Sequence, residues 1–180
     1  MPEMKMTHYF AYGSDLSLRQ LRQRLVEVEI VLEDIPRHAA QLPDYELRFS
    51  QGVPSHPAIG FAAIHPCPGQ IVEGVLYELP EQALSHFDTL QGVPEGRYLR
   101  REVSVNCPDF GTVPAQAYFP GPEWIREGLK PSRNHLYKLL AAESLLSPEY
   151  FSRLKKIESI KVPVDDQGLP YGPGTPKPQK

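Results

Sequence analysis

Hydrophobic and polar positions alternate along several short stretches of this 180-residue chain. Apolar side chains at every second position predict half-buried strands at residues 45–49, 98–105 and 113–119. Short apolar runs predict more deeply buried strands at residues 9–11, 28–32, 58–65 and 71–79. The segment Pro66-Cys67-Pro68-Gly69 is predicted to end the strand at residues 58–65. Gly74 lies inside the next strand, where glycine indicates a bulge or a close approach of another backbone.

Apolar residues recur every three or four positions in four other segments, which predicts helices. The first helix begins near Leu18, directly after the first strand. The second opens at Pro80, since proline is favoured in the first turn of a helix. The third begins at Pro131 and is predicted to extend to Leu146, and the fourth begins at Pro148.

The order of these elements predicts an α+β protein. Six or more short strands, with helices between and after them, are typical of a small mixed β-barrel with surrounding helices. The chain length is that of one domain, to which we assign residues 1–162. Residues 163–180 contain five prolines and three glycines without hydrophobic periodicity, so they are predicted to form a flexible Pro/Gly-rich C-terminal tail.

The first strand meets a glycine corner at Tyr12-Gly13-Ser14-Asp15-Leu16. Gly13 permits a sharp turn and the close approach of a ligand to main-chain N–H groups. Ser14 or Asp15 is predicted to cap the helix that follows. Backbone donors at a helix start favour a carboxylate or a developing oxyanion. A plain structural corner explains the same residues, so this segment alone does not decide between a binding site and a turn.

Composition and charge exclude several classes of protein. The net charge of −3 does not favour nucleic-acid binding. No apolar segment approaches the roughly 18 residues that a membrane span needs, and the chain start lacks a signal-peptide core. These features predict a cytoplasmic protein without nucleic-acid or membrane partners.

The cysteines and histidines follow no metal-binding pattern. Cys67 and Cys107 are predicted to stay reduced, because disulfides are rare in a reducing compartment. The six histidines are scattered along the sequence without the spacing of a known metal motif. We therefore predict no metal site.

Four segments, taken in order, resemble the γ-glutamylcyclotransferase family over roughly residues 7–158. The corner at residues 12–16 resembles the family signature Tyr-Gly-Ser-Asn-Leu. Residues 60–64, 68–69 and 73–77 resemble its middle hairpin, and residues 87–98 resemble its signature Leu-Asp-x-x-Glu-Gly-Val-x-x-Gly-x-Tyr. Pro131-Ser132 resembles the start of its C-terminal helix. Each motif alone is weak, but four in the expected order are specific.

The resemblance implies a small barrel of mixed strands, assembly that is often dimeric, and no cofactor. The family reaction converts a small γ-glutamyl amine compound into 5-oxoproline and a free amine, as the substrate's α-amine attacks its γ-carbonyl. A proton must leave the α-ammonium and another must reach the leaving amine, while the oxyanion is stabilised. The substrate-binding residues that the resemblance assigns are Tyr12, Gly13, Ser14, Asp15, Leu16 and Gln91.

The sequence departs from the family pattern at three candidate catalytic positions. Gln91 stands where the family has its acid/base glutamate, and a neutral amide cannot accept and return a proton near pH 7. Asp15 stands where the family has asparagine, and His135 where some members place a tyrosine near the substrate. Glu95 and Asp88 are the nearest other carboxylates in this segment. Glu95 is more typical of a solvated loop residue than of a catalytic one, and Asp88 is more typical of a structural helix residue.

Three functions stay open at this point. The chain is a cyclotransferase-type enzyme whose activity Gln91 lowers, or a non-catalytic module in which Gln91 hydrogen-bonds a small ligand. In the third, an enzyme of altered chemistry, Asp15 replaces the missing base and pairs with His135 for proton transfer.

Overall fold

The computed structural model describes residues 4–54 and 56–162. Its strands are β1 (Met6–Ala11), β2 (Arg37–Val53), β3 (His56–Pro80), β4 (Tyr98–Cys107) and β5 (Gly111–Pro120). Over this part of the chain, the five strands close into a barrel in the order β1-β3-β2-β4-β5. Neighbouring strands are antiparallel, except that β1 and β5 pair in parallel at Tyr9 and Gln116.

Four helices pack around the barrel in the described residues: α1 (Leu18–Val26), α2 (Glu81–Leu90), α3 (Arg133–Leu140) and α4 (Pro148–Lys155). Single 3-10 turns occur at Ser14–Leu16, Pro122–Trp124 and Glu143–Leu145. The predicted α+β class and small barrel are thereby confirmed. None of these helices is long and apolar enough to cross a membrane. The predicted tail at 163–180 lies outside the described residues, so the division into 1–162 and 163–180 stays a prediction.

β1 separates two hydrophobic cores, because successive side chains of a strand point to opposite faces. Phe10 and Tyr12 belong to a barrel core, which inward side chains of all five strands fill. Tyr9 and Ala11 belong to a helix-side core between the barrel and the helices. Gly74 of β3 lies against β1 so closely that a Cβ there would be 2.2 Å from the Ala11 carbonyl oxygen. This confirms the close approach predicted from a glycine inside a strand.

Two predicted strands prove to be one long strand, so the count of six or more is wrong. Pro66-Cys67-Pro68-Gly69 does not end a strand but lies within β3. The pairing of β2 with β3 shifts register here, between Pro43 and Tyr45. Gly69 has a φ of +83°, and its N–H donates to Oδ1 of Asp44 at 3.0 Å. The segment is therefore a bulge that bends β3 without terminating it.

Two further predictions are wrong near helix ends. Residues 28–32 form no strand, because the chain turns at Glu29 with a φ of +58°. The apolar Ile30 and Leu32 of this segment pack instead against the helix-side core. The helix predicted to extend to Leu146 ends at Leu140 as α3, and Leu146 reaches the same core from beyond the following 3-10 turn.

Candidate active site

The glycine corner joins the end of β1 to α1. Tyr12 and Gly13 lead into the 3-10 turn at Ser14–Leu16, in which the N–H of Leu16 donates to the carbonyl oxygen of Gly13 at 3.0 Å. A Cβ at Gly13 would lie 3.3 Å from the Cβ of Ala62 on β3. The small residue thus lets the corner pack directly against the barrel wall.

The predicted cap of the first helix is wrong. Neither Ser14 nor Asp15 caps α1, because the intervening 3-10 turn moves the helix start to Leu18. Ser17 is the N-cap, and its hydroxyl accepts from the N–H of Gln20 at 3.3 Å. The amide of Gln20 donates to the Ser14 hydroxyl at 2.6 Å. Ser14 is therefore tied to α1 by its side chain rather than by capping.

A cavity of about 120 Å³ opens where the glycine corner, the end of α2 and the start of α3 meet. We call it the site cavity. The predicted site residues that line it are Tyr12, Gly13, Ser14, Asp15, Gln91 and His135. Leu16 does not line it, because its side chain is buried in the helix-side core. The fold thus brings together two segments that lie far apart in sequence.

Gln91 terminates α2 and borders the site cavity. Its backbone N–H donates to the carbonyl oxygen of Phe87 at 2.8 Å, which completes the last helical turn. Gly92 follows with a φ of +69°, and a Cβ there would lie 2.6 Å from the Arg97 side chain. The Gln91 side chain is half-buried and lines the cavity, where its amide can donate or accept a hydrogen bond to a ligand.

Asp15 is buried in the wall of the cavity, with 2% of its surface exposed. Its carboxylate accepts from the Tyr9 hydroxyl at 2.7 Å and from the Gln20 amide at 3.1 Å. The Arg24 guanidinium forms an ion pair with it at 3.0 Å. A carboxylate held by three donors is fixed in position. This arrangement favours a role in positioning the corner over the predicted role as replacement base.

His135 is the second buried polar group of the cavity wall. Its Nε2 accepts from the N–H of Ala62 at 3.1 Å. Its ring stacks on Phe61, with centroids 5.0 Å apart and planes at 19°. Burial lowers the pKa of His135 to about 3, with a smaller effect in the same direction from Lys138. His135 is therefore neutral at pH 7, and it makes no hydrogen bond to Asp15 among the described contacts.

The buried His135 makes stability depend on pH. In the native state its pKa is about 3, whereas an unfolded histidine titrates near 6.5. Between these values the unfolded chain binds a proton that the native chain does not, so stability falls as the pH decreases from about 6.5. In His135→Gln, we expect the loss of unfolding free energy between pH 7 and pH 5, measured by urea denaturation, to be about 1–2 kcal/mol smaller than in the wild type.

The control is His56→Gln, at a histidine outside the cavity lining, which should keep the wild-type pH dependence. Glutamine at position 135 can still accept a hydrogen bond from Ala62 but does not titrate. The same pH dependence in His135→Gln and in the wild type would contradict a buried neutral imidazole.

Buried tyrosines supply part of the polar framework around the cavity, and sequence analysis identified only Tyr12 among them as a site residue. The Tyr12 hydroxyl donates to the carbonyl oxygen of Tyr118 at 2.6 Å. The Tyr98 hydroxyl donates to the carbonyl oxygen of Ala62 at 2.8 Å. The Tyr118 hydroxyl donates to the carboxylate of Asp88 at 2.7 Å. Burial raises the pKa of each of these tyrosines. They are protonated donors that hold the strands and do not exchange protons near pH 7.

Sequence analysis also missed the cations of the site. Among the described residues, Arg24 and Lys138 line the cavity together with one carboxylate, Asp15. Gln91 adds no charge, so positive charge exceeds negative charge in the wall. Such a wall favours a ligand that carries a carboxylate. Both cations lie on polar helix faces, where a solvent-exposed position is the usual interpretation.

A glycine corner and a helix end that meet at one cavity of a small five-strand barrel define a γ-glutamylcyclotransferase-like protein. Residues 9–139 match the family model of γ-glutamyl cyclotransferase, AIG2-like proteins, and the chain therefore belongs to this family. The resemblance found in the sequence motifs is thereby confirmed.

Related proteins agree with this assignment. The chain is 29% identical over 160 residues to γ-glutamylcyclotransferase of Homo sapiens, which covers 87% of this chain and 81% of that protein. It is 30% identical over 155 residues to the Bos taurus protein of the same name, and the match covers 83% of this chain and 78% of that protein. A solved structure of a γ-glutamyl cyclotransferase superposes with a TM-score of 0.72 at 28% identity, covering 86% of this chain and 89% of that one. The crystal structure of an uncharacterized human protein superposes with a TM-score of 0.75 at 25% identity, and the match covers 91% of this chain and 94% of that one.

Proposed function

We propose that this chain binds a γ-glutamyl amine compound in the site cavity and cyclises it to 5-oxoproline, with release of the amine. The observation that carries this proposal is that the glycine corner and Gln91 line one cavity. The family and the relatives named γ-glutamylcyclotransferase support the same chemistry. Cytoplasmic location, which the composition and the chain start predict, and a homodimer, which the sequence resemblance implies, belong to this proposal as well.

The cavity wall matches the parts of such a substrate. Arg24 and Lys138 attract its carboxylate. Among the described residues, the N–H groups of Ser14 and Asp15 have no backbone acceptor, so they are available to an oxygen of the ligand. The Gln91 amide can donate to a carbonyl oxygen or accept from an ammonium group.

The reaction forms a bond between the α-nitrogen and the γ-carbon, and it breaks the bond between that carbon and the leaving amine nitrogen. The α-ammonium nitrogen loses two protons as it becomes the lactam N–H, and the leaving nitrogen gains two as it departs as an ammonium, so the reaction is balanced without a cofactor. Because Gln91 cannot relay a proton, the α-ammonium loses its proton to water. The rate should therefore rise with pH until the substrate's α-amine is fully deprotonated.

Binding without turnover is the second candidate function. Asp15 is the one carboxylate in the described lining, and its oxygens already accept from Tyr9, Gln20 and Arg24. Because these contacts occupy it, the described residues there offer no unengaged carboxylate for proton transfer, which favours binding alone. In this case Gln91 would recognise the ligand rather than assist its cyclisation.

Product formation and ligand-induced stabilisation separate these functions. The protein is incubated with γ-glutamyl-amino acids, with the matching α-glutamyl dipeptides as controls, and 5-oxoproline and thermal unfolding are measured. Product from the γ-linked compounds alone would support cyclisation. An increase in Tm without product would favour binding, because a ligand of the native state raises stability. If the compounds give no product and cause no increase in Tm, both candidate functions are contradicted.

A further inference from the structure

The end of the barrel opposite the site cavity carries a cluster of metal-ligating side chains. The site cavity borders Tyr98, the first residue of β4. Cys107 is the last residue of β4 and lies about 30 Å further along this extended strand. His38 lies near the start of β2, and Asp109 lies in the turn from β4 to β5. One ligand atom of each of these three residues lies within 4.8 Å of the other two.

We propose that His38, Cys107 and Asp109 bind a zinc ion at this end of the barrel. Thiolate, imidazole and carboxylate are the ligands that zinc prefers in proteins, and three protein ligands leave a fourth position for water. Bonds of about 2.0–2.3 Å place the ligand atoms of a tetrahedral site about 3.3–3.8 Å apart. Nδ1 of His38 and Oδ2 of Asp109 are closer together than this, at 2.6 Å, and no two of the ligand atoms are more than 4.8 Å apart, so small movements of the two exposed side chains would give this spacing.

The burial of the three residues supports an ion at this place. Cys107 is 2% exposed and belongs to the barrel core. The side chains of His38 and Asp109 are 35% and 62% exposed, so they can move and leave an entry path from solvent. The ring of Phe110 packs edge-on against that of His38, with centroids 5.0 Å apart, and shields the cluster on one side. The ion would lie between a buried thiolate and two exposed side chains.

Ion binding requires a change in proton positions. Without metal, Nδ1 of His38 and Oδ2 of Asp109 share a hydrogen bond of 2.6 Å. In the complex, Nδ1 of His38 donates its electron pair to zinc, so the ring proton is on Nε2. The Cys107 thiol loses its proton to solvent. Affinity should therefore increase with pH, and about one proton should be released for each ion bound.

The proposed site lies at a sparsely paired seam of the barrel. β2 and β4 pair at a single position, Gln41 with Asn106. His38 is on one side of this seam, and Cys107 follows Asn106 directly on the other. A zinc ion would join the two strands where few backbone hydrogen bonds do so, and it would stabilise barrel closure independently of the reaction in the site cavity.

Sequence analysis predicted no metal because it looked for ligands at short, regular spacing. His38 is distant in sequence from Cys107 and Asp109, and only barrel closure brings β2 beside β4. Sequence analysis predicted only that Cys107 stays reduced, and the structure places it in the barrel core.

Cobalt(II) is a spectroscopic probe for this site in the full-length protein. We expect one cobalt ion per chain, with a thiolate-to-cobalt absorption in the near ultraviolet that zinc abolishes by displacement. Cys107→Ser should lose this absorption. The matched control Cys67→Ser, which removes the cysteine outside the cluster, should keep it. Absorption that is absent in the wild type, or unchanged in Cys107→Ser, would overturn the proposal.

A second pair of variants covers the case in which a change at the buried Cys107 impairs folding. His38→Ala alters a surface residue, and His56→Ala is its control outside the cluster. Zinc should raise the Tm of the wild type and of His56→Ala, because an ion that binds the native state stabilises it. It should raise the Tm of His38→Ala by less than half as much. Equal increases in both variants would contradict the proposal, whatever the outcome of the cyclisation assay.

Discussion

Gln91→Glu is expected to raise kcat for the cyclisation of γ-glutamyl compounds by about 10²–10⁴, the usual contribution of a positioned acid/base group. Glutamate has nearly the shape of glutamine, so the end of α2 and its bond to Phe87 should be retained. The new carboxylate would face a wall that contains Arg24 and Lys138, which favour its charged form. It could then take the α-ammonium proton and return one to the leaving amine.

The measurement is steady-state formation of 5-oxoproline between pH 6 and pH 9. The wild-type rate should rise with pH as the substrate amine loses its proton to water, whereas the variant should be active at lower pH. Gln23→Glu makes the same charge change on the exposed face of α1 and should leave kcat unchanged. If Gln91→Glu binds substrate yet forms product no faster than the wild type, the assignment of position 91 to proton transfer fails.

Asp15→Asn is expected to lower the free energy of unfolding by about 3 kcal/mol. Loss of the carboxylate leaves Arg24 without its ion-pair partner and weakens the hydrogen bond from Tyr9. Breaking a buried pair costs about 3–5 kcal/mol, and the lower end applies because the Arg24 side chain is 20% exposed. Urea denaturation at pH 7 measures this difference.

The control is Glu81→Gln, which breaks the exposed ion pair with Lys5 and should change stability by less than about 1 kcal/mol. The same variants separate the two roles considered for Asp15. A positioning role predicts that Asp15→Asn is less stable but keeps the pH profile of any turnover. Loss of turnover at unchanged stability would instead identify Asp15 as the proton acceptor.

The barrel could be predicted from the sequence because its signals are local. Alternation along β4 and β5 and apolar runs in β1 and β3 each predict a strand without knowledge of the partners. The errors arose where tertiary contacts decide. Gly69 and its hydrogen bond to Asp44 turn an apparent strand end into a bulge. The positive φ at Glu29 converts an apolar run into a turn.

The candidate site could be predicted in part, since its motif residues lie on the two segments that carry the family signatures. The structure places Tyr12, Gln91 and His135 around one cavity. The partners of Asp15 could not be predicted, because the ion pair with Arg24 depends on how α1 packs after an unpredicted 3-10 turn. Whether the buried His135 is a base or a hydrogen-bond acceptor likewise depends on its contact with Ala62, which lies on β3 and is distant in sequence from α3.

The pairing of β1 has a consequence for protein synthesis. β1 is translated before β3 and β5, yet it pairs with the end of β3 and with β5. Until those strands emerge, the apolar side chains of Tyr9 and Phe10 have no core to enter, and the glycine corner has no wall to pack against. The apolar side chains of β1 are therefore exposed, and prone to aggregation, until β5 has been translated. The site cavity consequently forms late, after translation of the segment that contains His135.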